Sequence, residues 1–82
     1  MHNIQLEVGK YYKQISDELT IVFNNLGRVL ERVEINSCFL VLNNNIGYSI
    51  NGVQDTLVLT SLGNIGTMGS IQLNYNRIKK II

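Results

Sequence analysis

Apolar and polar residues alternate along much of this chain. Ile4-Gln5-Leu6-Glu7-Val8 alternates strictly, and so do Ile46-Gly47-Tyr48-Ser49-Ile50 and Ser70-Ile71-Gln72-Leu73-Asn74-Tyr75-Asn76. Successive side chains of a strand point to opposite faces, so this period of two predicts half-buried strands of an antiparallel sheet. Strands are expected over 3–8, with Ile4, Leu6 and Val8 on one face, and over 11–15 after a turn at Gly9-Lys10. A polar break at Ser16-Asp17-Glu18 leads to a strand over 19–23 with Leu19, Ile21 and Phe23 inward. Asn24-Asn25-Leu26-Gly27 is turn chemistry, because Asn and Gly tolerate positive φ. Residues 28–35 then place Val29, Val33 and Ile35 on one face and Arg28, Arg32 and Glu34 on the other, with Glu31 an exception on the apolar side.

Residues 38–42, Cys38-Phe39-Leu40-Val41-Leu42, are apolar on both faces and read as a central, covered strand. A strand over 46–50, the hairpin signal Asn51-Gly52 and a strand over 53–60 follow. Residues 62–69 read as a glycine-punctuated loop, and 70–77 as the last strand before Ile78-Lys79-Lys80-Ile81-Ile82. The reading is all-β: one domain over residues 1–82, a small antiparallel β-sandwich or jelly-roll-like barrel of about eight short strands. A rival exists. Val8, Tyr12, Ile15, Leu19, Val22, Leu26, Val29 and Val33 share an alternating spacing of four and three. That spacing fits one amphipathic helix over about 10–33, packed on a C-terminal antiparallel sheet. Gly27, Asn24-Asn25 and the β-branched Thr20-Ile21-Val22 run oppose it.

Composition sharpens this picture. The chain of 82 residues lacks alanine, proline and tryptophan, which weakens any helical reading. It is rich in Asn and Ile, as expected of an AT-rich coding sequence from a low-GC bacterium or one of its phages. No apolar run is long enough for a transmembrane helix. Met1-His2-Asn3-Ile4 lacks the blocks of a signal peptide, so cytoplasmic synthesis is expected. A net charge of +1 argues against a protein that wraps polyanions. Cys38, the single cysteine, reads as a small buried apolar residue rather than a reactive thiol.

Candidate chemistry is sparse. His2 is the one histidine and lies at the terminus; with one His and one Cys, no zinc set forms without carboxylates. The carboxylates Glu7, Asp17, Glu18, Glu31, Glu34 and Asp55 show no dyad spacing. Gly63, Gly66 and Gly69 form neither a P-loop nor a dinucleotide fingerprint. They read as a loop that packs on itself or presents Ile65 and Met68 to a partner. No catalytic, cofactor-binding or metal-binding residue is assigned, and no cofactor is expected. Arg77, Lys79 and Lys80 form a basic cluster set among Ile78, Ile81 and Ile82. The candidate partner contacts are therefore Ile65, Met68, Arg77, Ile78, Lys79, Lys80, Ile81 and Ile82. Tyr11, Tyr12 and Lys13 offer a stacking platform for single-stranded nucleic acid, or simply a strand with one tyrosine in and one out.

The turn at Asn24-Asn25-Leu26-Gly27, residues 28–35, Gly47-Tyr48-Ser49-Ile50-Asn51-Gly52 and Gly69-Ser70-Ile71-Gln72-Leu73 together resemble small β-sandwich modules of phage virions. The resemblance rests on rhythm and turn chemistry over 19–77 and carries no site residues across. It implies a non-enzymatic structural or assembly protein of the virion, acting by self-association and by contacts with neighbouring virion proteins. The alternative is a small regulator or inhibitor in the host cytoplasm that binds a host protein or nucleic acid. A homo-oligomer is expected; nucleic acid and membrane are not expected as partners.

Overall fold

A computed structural model describes residues 6–44, 55–69 and 77–81. Among these the fold is all-β. Seven strands form one antiparallel sheet: β1 (Tyr11–Gln14), β2 (Thr20–Phe23), β3 (Val29–Val33), β4 (Cys38–Asn43), β5 (Asp55–Thr60), β6 (Ile65–Gly69) and β7 (Ile78–Lys80). Their order across the sheet is β3-β2-β6-β5-β4-β1-β7, and every pairing is antiparallel.

The sheet is curled. β2 and β1 lie four places apart in that order, which is about 19 Å in a flat sheet at the usual strand spacing of ~4.8 Å. Yet the Thr20 hydroxyl of β2 donates to Gln14 Oε1 of β1 at 3.1 Å. The concave side holds the core: Leu6, Tyr12, Val22, Val33, Phe39, Val41, Val58, Met68 and Ile78. Gln14, Thr20, Glu31, Thr56 and Thr60 are buried with them.

The helix over 10–33 does not form; β1, β2 and β3 occupy that segment. Burial of alternate residues on each strand outweighs the four-three spacing, which a short strand meets by chance. The expected orientation of 19–23 is reversed. Thr20 and Val22 face the core, while Leu19 is exposed and Ile21 and Phe23 are half-buried. The reason is chemical: Gln14 supplies an acceptor inside for Thr20, so a polar residue takes an inward place.

Register also shifts between Val22 and Phe23, where Phe23 opposes Val29 and Val22 opposes Glu31. This bulge frees Val29 to lie exposed while Glu31 and Val33 turn inward. Ile35, expected beside Val33, is exposed as well. The expected loop over 62–69 is half strand, because β6 fills the gap between β2 and β5. Gly66 permits this: a methyl group there would lie 2.6 Å from the Phe23 carbonyl oxygen and 2.6 Å from Val22 Cγ1. Residues 6–8, the described part of the expected strand over 3–8, form loop and turn instead. The strand over 46–50, the Asn51-Gly52 hairpin and residues 70–76 of the strand expected over 70–77 lie outside the described residues; Arg77 itself is in a turn.

Candidate interaction surface

Alternation fixes what the convex side of the sheet carries. Tyr12, Phe39, Val58, Gly66 and Ile78 point inward, so their neighbours Tyr11, Leu40, Leu59, Ile65 and Lys79 point outward. Register then lines up an apolar row. Tyr11 opposes Leu40, Leu40 opposes Leu59, and Leu59 opposes Ile65. Just past β7, the Ile81 N–H donates to the Tyr11 carbonyl at 2.9 Å and extends the row. Ile81, Tyr11, Leu40, Leu59 and Ile65 thus follow one another across five adjacent strands, around the convex side of the curled sheet. Ile65 is 58% exposed, Tyr11 45% and Ile81 45%; Leu40 and Leu59 are half-buried.

Two shorter rows flank it. On one side Phe23 and Leu57 both oppose Thr67. On the other, Lys13 opposes both Lys79 and Cys38. Cys38 is half-buried on this outer side rather than in the core, because Phe39 takes the inward place.

The sequence-based contact residues divide. Ile65, Lys79 and Ile81 are exposed on the outer side. Met68 and Ile78 are not available for contact: they are 0% and 2% exposed and belong to the core, where the inward phase of β6 and β7 places them. Arg77 is half-buried; its Nε donates to Glu18 Oε2 at 2.7 Å and its Nη1 to the Leu19 carbonyl at 3.1 Å. Lys80 pairs with Glu7. That hydrogen bond holds the Glu7 carboxyl below its ordinary value and raises the Lys80 ammonium. Two of the three cations in the basic cluster are therefore already neutralised by partners, and Lys79 stands beside Lys13. Ile82 lies outside the described residues.

Tyr12 offers no stacking platform. It is 3% exposed, stacks on Phe39 with ring centroids 6.1 Å apart, and its hydroxyl accepts the Glu7 N–H at 2.9 Å.

Inside, two polar clusters stiffen the ends of the sheet. Glu31 Oε1 accepts from the Thr60 hydroxyl at 2.6 Å and from Asn64 Nδ2 at 2.9 Å. Thr60 and Asn64 bracket the β5–β6 turn, so Glu31 ties that turn to β3. Gln14 Nε2 donates to the carbonyls of Ser16 at 2.9 Å and Glu18 at 3.1 Å, which fixes the β1–β2 connection. A groove of about 230 Å³ runs between that connection and β3, lined by Asp17, Glu18, Arg32 and Glu34 among others. Among the described residues, no group of three or more His, Cys, Asp or Glu side chains is arranged to hold a metal ion. No helix of the described residues is long and apolar enough to cross a membrane.

Sequence reasoning missed Leu40 and Leu59 as surface residues. The signal was present in the doubly apolar run Cys38-Phe39-Leu40-Val41-Leu42, which demands cover on both faces. No protein-family model, curated protein or solved structure matches this chain.

Proposed function

We propose that this protein is a non-enzymatic structural or assembly component, a virion module of a phage, that works by self-association and by contacts with neighbouring proteins. The observation that carries the reading is the apolar row on the convex side. A sheet normally leaves one face polar when that face meets water. Here Ile65, Tyr11 and Ile81 are half or nearly half exposed beside Leu40 and Leu59. Contiguous apolar surface of this kind marks a site of association. A small domain also gains much from added burial, since it covers a limited share of its own surface.

The alternative role as a nucleic-acid-binding regulator loses support from the ion pairs of Arg77 and Lys80, because phosphate contacts draw on free cations. Sedimentation velocity over a wide concentration range tests the proposal. Reversible association is expected. A strict monomer at high micromolar concentration would leave a regulator of a host protein as the better reading.

A further inference from the structure

We propose that the corner of the outer side where Lys13 and Lys79 meet docks a carboxylate-bearing, partly apolar segment of a neighbouring protein; this rests on the assembly role proposed above and gives its partner a chemistry. Lys13 lies between the buried Tyr12 and Gln14, and Lys79 follows the buried Ile78, so both project outward. The β1–β7 register sets them directly opposite each other. Side chains in such a pair start about 4.5–5.5 Å apart, and like charges so placed repel.

Nothing in the described chain relieves that repulsion. Among the described residues the ion pairs are Arg77 with Glu18 and Lys80 with Glu7, and the buried Glu31 is held by Thr60 and Asn64. Glu7 and Glu18 thus serve the other two cations of residues 77–80, and Lys13 and Lys79 keep two adjacent charges unmatched.

Charge and surroundings together select the partner. A polynucleotide draws its affinity from many phosphate contacts, and this corner supplies two cations. Its other residues are apolar. Tyr11 stands two places from Lys13, and Ile81 two places from Lys79; each is 45% exposed, and the two are joined by the Ile81 N–H on the Tyr11 carbonyl. All four lie on two neighbouring strands, so the curl of the sheet does not separate them. An extended segment with an acidic residue and, two places on, an apolar one shows both on one face, about 6.8 Å apart. That spacing matches the step from Lys13 to Tyr11 along β1. The carboxylate then reaches both ammonium groups while the apolar side chain covers Tyr11 and Ile81.

Fluorescence anisotropy tests the site with a dye-labelled, end-capped peptide repeating Glu-Thr-Leu-Thr and a control with Gln in place of Glu. Binding of the Glu peptide is expected. Affinity should fall by about tenfold for the Gln peptide and by about tenfold in Lys13→Gln/Lys79→Gln, as two exposed ion pairs allow. Without peptide, Lys79→Glu should raise the melting temperature by about 2–6 °C, because it turns the cross-strand repulsion into attraction; the same variant should lose the peptide.

No binding, equal affinity for the two peptides, or a double variant that binds like the parent would overturn the site. A melting temperature of Lys79→Glu at or below the parent's would overturn its premise. Tighter binding of single-stranded oligothymidine than of the Glu peptide would overturn the acidic protein as partner and make the corner a phosphate site. Loss of self-association in the double variant would put a second copy there instead. The assembly role fails separately, since sedimentation without peptide reads it: a strict monomer that binds the Glu peptide through both lysines loses that role and keeps the site. Should the double variant fail to fold by circular dichroism, the contrast between the two peptides on the parent chain decides.

Discussion

Replacing Glu31 tests the interior of the sheet most directly. Its side chain is 8% exposed and its Oε1 accepts from Thr60, itself 5% exposed, and from Asn64. Glu31→Ala removes the shared acceptor and leaves two donors behind. A buried donor left unpaired costs about 1–3 kcal/mol. Thr60 takes the upper part of that range and half-buried Asn64, which water reaches, the lower part. The expected loss is about 3 kcal/mol. Glu31→Gln keeps a carbonyl oxygen for both donors and gives up only the charge-assisted part, about 1 kcal/mol. A domain of 82 residues has a total stability of roughly 4–12 kcal/mol, so the alanine variant loses a large share. Its melting temperature should fall by about 12–24 °C. Urea unfolding at one fixed protein concentration separates the two variants, since association shifts apparent stability. An alanine variant within about 0.5 kcal/mol of the parent, or a glutamine variant as unstable as alanine, would refute the reasoning.

Gly66→Ala should destabilise by about 2 kcal/mol or more, because the neighbouring Phe23 carbonyl is backbone and cannot yield; urea unfolding with no loss would show that β6 can move away. Gly63 sits at φ +89° with open space around it, so Gly63→Ala should cost only the backbone strain, about 1 kcal/mol. Gln14→Leu leaves the Ser16 and Glu18 carbonyls and the Thr20 hydroxyl without their partner, and a loss of about 2–4 kcal/mol is expected from chemical unfolding. The Glu7–Lys80 pair stabilises across neutral pH. With the Glu7 pKa lowered, that contribution is lost as pH falls through the folded value; with the Lys80 pKa raised, it is lost as pH rises through its folded value. The melting difference between the parent and Glu7→Gln should therefore be small at neutral pH, fade at strongly acid pH and shrink in high salt.

Much of the fold was legible because short apolar runs bounded by polar and glycine breaks have few uses other than strands. β1, β2, β3 and β5 fall within the segments read as strands, and β4 runs one residue past its segment of 38–42. What failed did so for local reasons. The glycines of 62–69 signalled a loop, but Gly66 serves close approach within a strand, and one letter stands for both uses. The inward phase of β2 was inverted because Thr20 and Gln14 satisfy each other inside, and no hydropathy pattern reports a partner six residues away. Glu31 stood out in the sequence as an anomaly on an apolar face. Its partners Thr60 and Asn64 arrive from 29 and 33 residues further on, a distance at which only the folded sheet makes the connection. The candidate contacts were half legible. Isoleucines set among lysines signal burial of at least one, and Ile78 finds it in the core while Ile81 does not.

The buried polar clusters have a consequence for uniqueness. In most sheets, sliding one strand by a residue turns its apolar side chains into water, and the slip is punished at once. β4 and the centre of β5 lack that protection: Phe39-Leu40-Val41-Leu42 and Leu57-Val58-Leu59 look much the same whichever way they are turned. Hydrophobicity alone would leave several pairings nearly equal. Thr60 meets Glu31, and Gln14 meets Thr20, in one alignment only; a shifted strand leaves the partner that stays in the dry interior without its hydrogen bond, at about 1–3 kcal/mol for each. Few in number and hidden from solvent, they act as an address code for strands whose greasy residues carry no address of their own. Apolar replacements at Gln14 and Glu31 together should therefore broaden the amide NMR spectrum into several slowly exchanging forms, even where total helix-free β content is unchanged.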